Sequence, residues 1–413
     1  MNKKILSTIA AMAAVAAILP GMNLDALNTA PTLTANAEWS EDGAMYLTDN
    51  GYYTGWHLID GDYYFFDSFG NKVTSSFIDW NDNTYYVDEE GHSITDNWIY
   101  NTDLDGYCYM DSVGKMVKND WIYDENYGSY YYLGLNGKEE FGPELFDDSD
   151  GISTAVGYKT ITQTKTVNGV DFTLTIDLNK WAQNTSPDQI KTIADLFWGC
   201  YPKMYNRFAS VAGSKTNITI AVENEGYGIA EAGWYKVHIH DQWLKNNPTD
   251  YDCLTHELGH IIQFDWLTDN NGGYYCEYSD YVERFADYCR YVYAYNDGYY
   301  NDNGWTLHTK YGESTRASSN RFFVWLDYRF SSDDNDIIAK FVKVCSEAKY
   351  PRYNWSAAWA EIFTGSALEG KSIDEVWNMY TADSFSTAYA RTSSFGGVSP
   401  LNSVYNVRAK LDR

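Results

Sequence analysis

The stretch THELGHIIQF at residues 255–264 decides how the second half of the chain folds. Its apolar positions, among them Ile261 and Phe264, are typical of a helix that packs in a core rather than on a surface. His256 and His260 are four residues apart, so both imidazoles lie on one helix face and can reach the same metal ion. Because a buried pair of histidines needs a polar partner, the stretch predicts a metal-binding helix.

Glu257 adds a catalytic group to this helix. It follows His256 directly, which places its carboxylate close to the metal but free to hold a water molecule. Zinc peptidases carry this H-E-x-x-H pattern, in which the glutamate acts as general base. The chain has seven histidines in 413 residues, so a chance match is rare. We therefore predict Zn²⁺ as the cofactor, His256 and His260 as ligands, and Glu257 as the catalytic base.

A catalytic zinc ion needs a third protein ligand and one open coordination position. Glu283 follows His260 by 23 residues, enough for a loop and a second helix that turns back. We predict Glu283 as the third ligand, with Asp280 and Glu277 as alternatives. Asp287 lies four residues beyond Glu283 on the same helix face, where its carboxylate can orient a ligand histidine.

The pattern H-E-x-x-H followed by E-x-x-x-D resembles the gluzincin group of zinc peptidases, of which thermolysin is a familiar member. The chain does not match the metzincin group of zinc peptidases. That group has a third histidine six residues after the second, and this chain has Trp266 at that position. The resemblance implies an α+β fold with a zincin-like catalytic domain, a small sheet plus helices that carry H-E-x-x-H.

Five motifs follow one another in this half of the chain: HELGHIIQ at 256–263, ERFADY at 283–288, RFFVWL at 321–326, TGS at 364–366 and IDEVW at 373–377. Their order resembles that of the plant basic secretory protein family, which has bacterial members and is regarded as zincin-like, and this resemblance covers residues 155–383. It implies a zinc peptidase without naming a substrate.

Other patterns complete this domain. Thr160–Thr166 and Val170–Ile176 are β-rich segments joined across Asn168-Gly169, which predicts a hairpin. Ser186 before a proline predicts the start of a long helix. Further predicted strands are 217–222 and 235–239, and further predicted helices are 249–265, 279–294, 316–330, 336–348, 356–364 and 372–381.

The zincin resemblance implies additional roles near the site. The strand Tyr235–Ile239 precedes the active helix, as the edge strand does in zincins, and its backbone would align an extended substrate. His238 and His240 are then strand or pocket residues rather than ligands. The tetrahedral oxyanion needs a donor besides zinc, and the candidates are His308, Tyr288, Tyr311 and Arg321.

The first third of the chain is repetitive. Trp56, Phe77, Trp98 and Trp121 recur at intervals of 21, 21 and 23 residues, and an aromatic cluster and a glycine turn follow each of them. A period of about 20 residues with these features predicts stacked β-hairpins, because one hairpin cannot bury its own apolar face. We therefore predict an all-β solenoid before the catalytic domain.

The units, such as GWHLIDGDYYFFDSFG at 55–70, resemble the cell-wall-binding repeats of Gram-positive bacteria, a family that includes choline-binding and glucan-binding modules. The resemblance covers residues 43–142 and implies a cell-wall polymer or glycan as partner. Most of the rings hold the solenoid together, but rings at junctions between units can stack on sugar or surround a quaternary ammonium group. The predicted ligand-binding rings are Trp56, Tyr64, Tyr86, Trp98 and Trp121.

The N-terminal segment predicts export. Two lysines precede an apolar run from Ile5 to Leu19, and the sequence Ala-Asn-Ala at 35–37 fits a signal cleavage site. The run is short for a membrane span, so the mature form is expected to have none. We assign 1–37 to a signal peptide, 38–142 to the repeat module and 143–413 to the zinc peptidase domain, with an acidic segment at the second boundary.

The net charge of the chain excludes nucleic acid as a partner. The chain has 57 acidic and 30 basic residues and a net charge of -27, so phosphate backbones would repel it.

The distribution of the six cysteines bears on disulfide bonds. One lies in the predicted repeat module and five lie in the domain that follows, which favours mostly buried free thiols over a disulfide framework. The acidic loop 297–303 permits calcium binding but lacks an EF-hand pattern.

Together these features predict a secreted zinc endopeptidase that its aromatic repeats hold at the cell wall of a Gram-positive bacterium. Two alternatives stay open. One is a wall- or glycan-binding protein whose zincin domain is inactive, and the intact Glu257 argues against it. The other is a zinc amidase that acts on wall peptides, which differs only in its substrate.

Overall fold

The structure is a computed structural model of the 413-residue chain. It describes residues 37–142, 160–178, 185–212, 215–223, 228–233, 235–248, 250–267, 279–293, 310–311, 316–347 and 355–388. Of the predicted signal peptide, Ala37 alone lies within these ranges, and Glu277, His308, the loop 297–303 and the side chain of Asp280 lie outside them. The chain divides into two compact units, Met1–Val117 and Lys118–Arg413.

The first unit consists of short antiparallel hairpins, as the repeat pattern predicts. Three strands form one sheet and the following six form three two-stranded hairpins. Asn81 and Asp82, at the turn of one hairpin, have φ of 49° and 61°, a left-handed conformation that Asn and Asp tolerate better than most residues. The strands are β1 (Glu38–Trp39), β2 (Tyr46–Thr48), β3 (Gly51–Tyr52), β4 (Gly55–Ile59), β5 (Asp62–Phe66), β6 (Ser76–Trp80), β7 (Asn83–Val87), β8 (Asn97–Asn101) and β9 (Gly106–Met110).

Successive hairpins of this unit pack on one another. Trp56 on β4 belongs to the same buried cluster as Ile78 on β6 and Tyr85 on β7. The backbone N–H of Ser93, beyond β7, donates to the carbonyl oxygen of Tyr63 on β5 at 2.9 Å. These contacts bury apolar faces that a single hairpin would leave in water, and the prediction of stacked hairpins is confirmed within this unit.

The fourth predicted repeat belongs to the second unit. Its strands are β10 (Asp120–Asp124), β11 (Ser129–Leu133) and β12 (Glu139–Phe141). Phe141 is fully buried in the core of this unit, and Nδ2 of Asn119 donates to the carbonyl oxygen of Thr164 at 2.7 Å. The sequence places the domain boundary after residue 142, whereas the compact units divide after Val117. The repeat period shows which residues form a hairpin but not which neighbour covers its apolar face.

A five-stranded mixed sheet follows, in the order β13-β14-β15-β17-β16. The strands β14, β15 and β17 are parallel, and the two outer strands are antiparallel to their neighbours. The predicted hairpin is confirmed, and its turn residues Asn168 and Gly169 have φ of 51° and 79°. The strands are β13 (Thr160–Val167), β14 (Val170–Leu178), β15 (Asn217–Glu223), β16 (Ala230–Gly233) and β17 (Lys236–His240).

The edge of this sheet differs from the expectation. The strand predicted at the edge, now β17, pairs with β15 on one side and β16 on the other, so its backbone is not open to an added strand. The prediction that β17 aligns an extended substrate is therefore wrong. The edge strand is β16, and its sequence Ala-Glu-Ala-Gly has little β propensity, so the pattern of apolar residues did not reveal it.

Helices pack on this sheet and on one another. Ser186 caps the first, since its Oγ accepts the N–H of Gln189 at 3.3 Å while the Gln189 side chain accepts the N–H of Ser186 at 3.0 Å. The six predicted helices from residue 249 onward are confirmed, with ends shifted by three residues or fewer. The helices are α1 (Pro187–Ala212), α2 (Asp241–Asn246), α3 (Asp252–Leu267), α4 (Ser279–Tyr293), α5 (Arg316–Phe330), α6 (Ile337–Glu347), α7 (Trp355–Phe363), α8 (Ile373–Ala382) and α9 (Ser384–Ala388).

A buried arginine links four of these helices. The guanidinium of Arg207 on α1 donates to Asp327 on α5 at 2.9 Å and to the hydroxyl of Tyr288 on α4 at 2.7 Å. It also bonds both carboxylate oxygens of Asp336, which precedes α6, at 2.6 and 2.9 Å. Because one buried cation bonds side chains of α4, of α5 and of the residue before α6, the network fixes these segments relative to α1.

Within the described ranges, none of the helices has the length and apolar character that crossing a membrane requires. Four cysteine side chains lie in them, at 108, 200, 253 and 289, and all are buried free thiols, as expected.

Candidate metal centre

The helices α3 and α4 pack against each other, and their contacts determine where the predicted ligands lie. Arg290 on α4 pairs with Asp252 at the start of α3, with Nε 2.8 Å from Oδ2. Asp287, about one turn earlier on α4, meets His256, about one turn later on α3, at 2.9 Å. The partners follow in opposite order along the two helices, so α3 and α4 are antiparallel.

The structure brings His256, His260 and Glu283 together at this interface. The Nε2 atoms of the two histidines are 3.1 Å apart. The Glu283 carboxylate has one oxygen 3.4 Å from Nε2 of His256 and the other 3.6 Å from Nε2 of His260. The histidines are buried, whereas the Glu283 side chain is 35% exposed, so solvent reaches the group on that side.

These separations fit a tetrahedral zinc ion. Ligand atoms at about 2.0–2.1 Å from such an ion stand about 3.3–3.4 Å apart. The three measured separations, between 3.1 and 3.6 Å, lie on either side of that value. Two imidazoles and one carboxylate are also a donor set that catalytic zinc uses, with the fourth position left for water or substrate.

Asp287 holds the first ligand histidine. Its Oδ1 lies 2.9 Å from Nδ1 of His256, and its side chain is 1% exposed. With Nδ1 turned toward the aspartate, Nε2 of His256 faces His260 and Glu283. Burial lowers the pKa of His256, but the carboxylates of Asp287 and Glu283 outweigh burial and raise it to about 9. Asp287 thus lies at the distance from His256 that its predicted orienting role requires.

Glu257 lies next to the ligand group on α3. It follows His256 in the chain and is 9% exposed, in the same buried environment as the two histidines. Glu257 therefore adjoins the ligand group, and its role as general base stays a prediction.

We predict that Asp287→Asn weakens zinc binding about 10–100-fold, because loss of an orienting carboxylate loosens a ligand histidine without removing it. Competition with a chromogenic chelator measures the affinity. Asp195→Asn, at a partly exposed helix position paired with Lys191, is the control and should bind zinc like the wild type. Unchanged affinity in Asp287→Asn would show that His256 is held by other contacts.

Three of the four candidate oxyanion donors have other roles in the core. Tyr288 is fully buried and its hydroxyl donates to Asp327 at 2.6 Å. Tyr311 is buried among the rings of Phe322, Trp359 and Trp377. Arg321 is buried and donates to the carbonyl oxygen of Ser386 at 3.2 Å. The fourth, His308, lies outside the described residues.

His238 and His240 both lie on β17. Nδ1 of His238 on β17 contacts the carboxylate of Glu223 on β15, and the flanking residues Val237 and Ile239 are buried on the other face of the sheet. His238 is thus a strand residue paired with an acid.

The first unit contains a separate pocket of about 170 Å³. Its lining includes Trp56, Tyr63 and Tyr85, and also Asp62. Trp56 is 8% exposed, and its Nε1–H has no hydrogen-bond partner in the described part of the chain. Three rings at a junction between two hairpins thus form a small aromatic site.

The predicted ligand-binding rings divide between this pocket and the cores. Trp56 lines the pocket. Tyr64 packs in a different cluster with Ile59 and Phe66. The other three do not line the pocket: Tyr86 packs against Phe77, Trp98 is buried against Tyr109, and Trp121 packs against Tyr132 and Phe141 in the second unit.

Comparisons with known proteins concern the repeats. No protein-family model matches the chain, and no curated protein is significantly similar to it. Among solved structures, CbpJ of Streptococcus pneumoniae is 22% identical over 33% of this chain and 46% of its own, with a TM-score of 0.22. Choline binding protein F of the same species is 26% identical over 30% of this chain and 44% of its own, also at 0.22.

The choline-binding domain of Spr1274 from Streptococcus pneumoniae is 21% identical over 21% of this chain and all of its own, with a TM-score of 0.17. The chain thus spans less than half the length of CbpJ and of choline binding protein F. These proteins are of the class that the repeats resemble in sequence. At such TM-scores the matches do not assign a ligand to this chain.

Proposed function

We propose that the chain is a zinc-dependent endopeptidase that is exported and held at a Gram-positive cell wall by its repeats. The observation that carries the enzymatic part is the trio His256, His260 and Glu283. Their ligand atoms have the mutual separations of a tetrahedral zinc site and one solvent-facing side.

In this proposal each residue of the site has one task. When bound, zinc would supply Lewis acidity that lowers the pKa of water and polarises a peptide carbonyl. Glu257 accepts the proton of the attacking water and passes it to the departing amine. Asp287, whose Oδ1 lies 2.9 Å from Nδ1 of His256, orients this imidazole so that Nε2 remains available as a ligand.

An amidase that acts on wall peptides would use the same residues, so substrate alone distinguishes it. The full chain should be assayed in parallel on a quenched peptide library and on soluble peptidoglycan fragments. An endopeptidase cleaves the library at internal bonds. Release of peptide from the glycan of the fragments, with no cleavage in the library, would favour the amidase.

The pocket of the first unit suits a quaternary ammonium ligand such as choline. Aromatic faces attract such a cation. A group of this kind on a wall polymer would hold the enzyme near wall-associated protein substrates. This assignment rests on Trp56, Tyr63 and Tyr85, and it includes one of the five rings that sequence alone suggested.

We predict that Trp56→Leu in the full chain weakens choline binding about 10-fold or more, because a desolvated cation–π contact contributes roughly 2 kcal/mol. Calorimetric titration with choline measures this. Asp60→Asn, at the adjacent turn but not in the pocket, is the control and should leave binding unchanged. Equal binding by Trp56→Leu and wild type would remove the pocket as the ligand site.

A further inference from the structure

Gly259 stands in the middle of α3, between the two ligand histidines. Glycine is the poorest helix former after proline, because it loses the most backbone freedom on folding. A glycine at this position therefore weakens the helix that carries the metal centre. Its presence needs a reason in the packing.

The reason is the close approach of α4. A Cβ atom built on Gly259 would lie 3.1 Å from Cβ of Cys289, 3.2 Å from Cα of Ala286 and 3.3 Å from Sγ of Cys289. All three distances are tighter than ordinary van der Waals contact. Cys289 and Ala286 are both fully buried, and one of the contacts is to backbone, so α4 itself would have to move to make room.

Ala286 and Cys289, which approach Gly259, lie on the same helix as Glu283 and Asp287. Ala286 precedes Asp287 directly and is about one turn beyond Glu283. Any displacement of α4 at Ala286 is passed to both carboxylates, because a helix moves as a rigid element over so short a length. The distance between α3 and α4 at Gly259 therefore determines how closely the two carboxylates approach the histidines. Glu283 lies 3.4 Å and 3.6 Å from them, and Asp287 lies 2.9 Å from His256.

We propose that Gly259 is a positioning residue of the metal centre. Its missing side chain sets the distance between α3 and α4 at which Glu283 and Asp287 reach the histidines. This inference rests on the proposed function, since it concerns the same zinc site. It adds a determinant of metal affinity that touches neither metal nor substrate.

A second helical glycine provides a matched control. Gly199 on α1 is exposed, and a Cβ built there would meet nothing within 4 Å. Gly199→Ala should raise thermal stability and leave zinc affinity unchanged, because alanine is the better helix former. Gly259→Ala makes the same chemical change at the crowded position.

The test compares the two variants in the full chain by chelator competition for zinc and by thermal unfolding of the zinc-free protein. We expect Gly259→Ala to lower zinc affinity about 10-fold or more and to alter the visible absorption of the cobalt(II)-loaded protein, which reports ligand geometry. Zinc affinity within twofold of wild type, in a folded protein, would overturn the proposal.

A double variant covers the case in which Gly259→Ala does not fold. Adding Cys289→Gly removes two of the three crowded atoms, so zinc affinity should return toward the wild-type value. A double variant with affinity no better than the single variant would also overturn the proposal. If the wild type binds no zinc through His256 and His260, the proposed function and this inference both fail. If the wild type binds zinc and Gly259→Ala binds it equally tightly, the inference alone is rejected.

Discussion

Glu257→Gln should reduce peptide hydrolysis by a factor of about 10²–10⁴ or more while leaving zinc bound, because it removes general-base catalysis and little else. Glutamine has nearly the shape of glutamate and is a good helix former, so it fits α3. Its amide cannot accept the proton of the attacking water. Turnover of a quenched peptide library at saturating zinc measures the effect.

Glu223→Gln is the matched control for this variant. Glu223 is also a partly buried glutamate beside a histidine, but it lies on β15 and pairs with His238. We expect its hydrolysis rate to stay near that of the wild type. Wild-type turnover by Glu257→Gln, with zinc retained, would contradict the catalytic assignment and favour a wall-binding protein without peptidase activity.

The second large effect concerns metal content. Wild-type protein should carry about one zinc per chain, and His256→Ala combined with His260→Ala should carry none after dialysis. The double variant leaves Glu283 as the sole remaining ligand, and a single carboxylate does not hold zinc against dilution. Elemental analysis of the purified full chain gives the stoichiometry.

The control is a second variant in which two histidines are replaced by alanine, His238→Ala combined with His240→Ala. These two histidines lie on β17, and His238 is paired with Glu223. We expect this variant to keep full zinc. Zinc retained by the α3 double variant and lost by the β17 double variant would move the metal site to the sheet.

The sequence was sufficient for helix α3 and for the shared face of its two histidines, because the necessary information is local. His256 and His260 share a face by helical spacing alone, and the apolar residues around them indicate a buried helix. The partner carboxylates come from another helix, and their positions depend on how α3 and α4 pack. Spacing along the chain left Asp280 and Glu277 as alternatives to Glu283, and the contact of Asp252 with Arg290 was not foreseen. Gly259 did carry a signal, since glycine inside a helix usually has a packing reason.

The repeats show the same limit in a β structure. Period and glycine turns correctly indicated stacked hairpins. Adjacent residues of a strand point to opposite faces, so a pair such as Tyr63 and Tyr64 sends one ring to each side. The sequence does not tell which side faces a pocket, and the structure places Tyr63 there and Tyr64 in a core.

The partners of strand β16 and of the fourth hairpin show the same dependence on tertiary structure. The four residues of β16 have no apolar alternation, and the strand exists because β17 offers it hydrogen-bonding partners. Likewise, the fourth hairpin has the repeat pattern, but its rings pack on the core of the second unit, with Tyr132 and Phe141 fully buried. Such tertiary partners lie beyond the range of a local pattern.

The proposed peptidase activity of the second unit depends on zinc. Hydrolysis of a quenched peptide library by the full chain tests this dependence when it is measured before and after zinc removal with a chelator and again after zinc is restored. We expect the purified protein to cleave the library, to lose cleavage with the chelator and to recover it with about one equivalent of zinc per chain. Cleavage that persists after complete metal removal, or a zinc-loaded protein that cleaves no peptide, would contradict the proposed function.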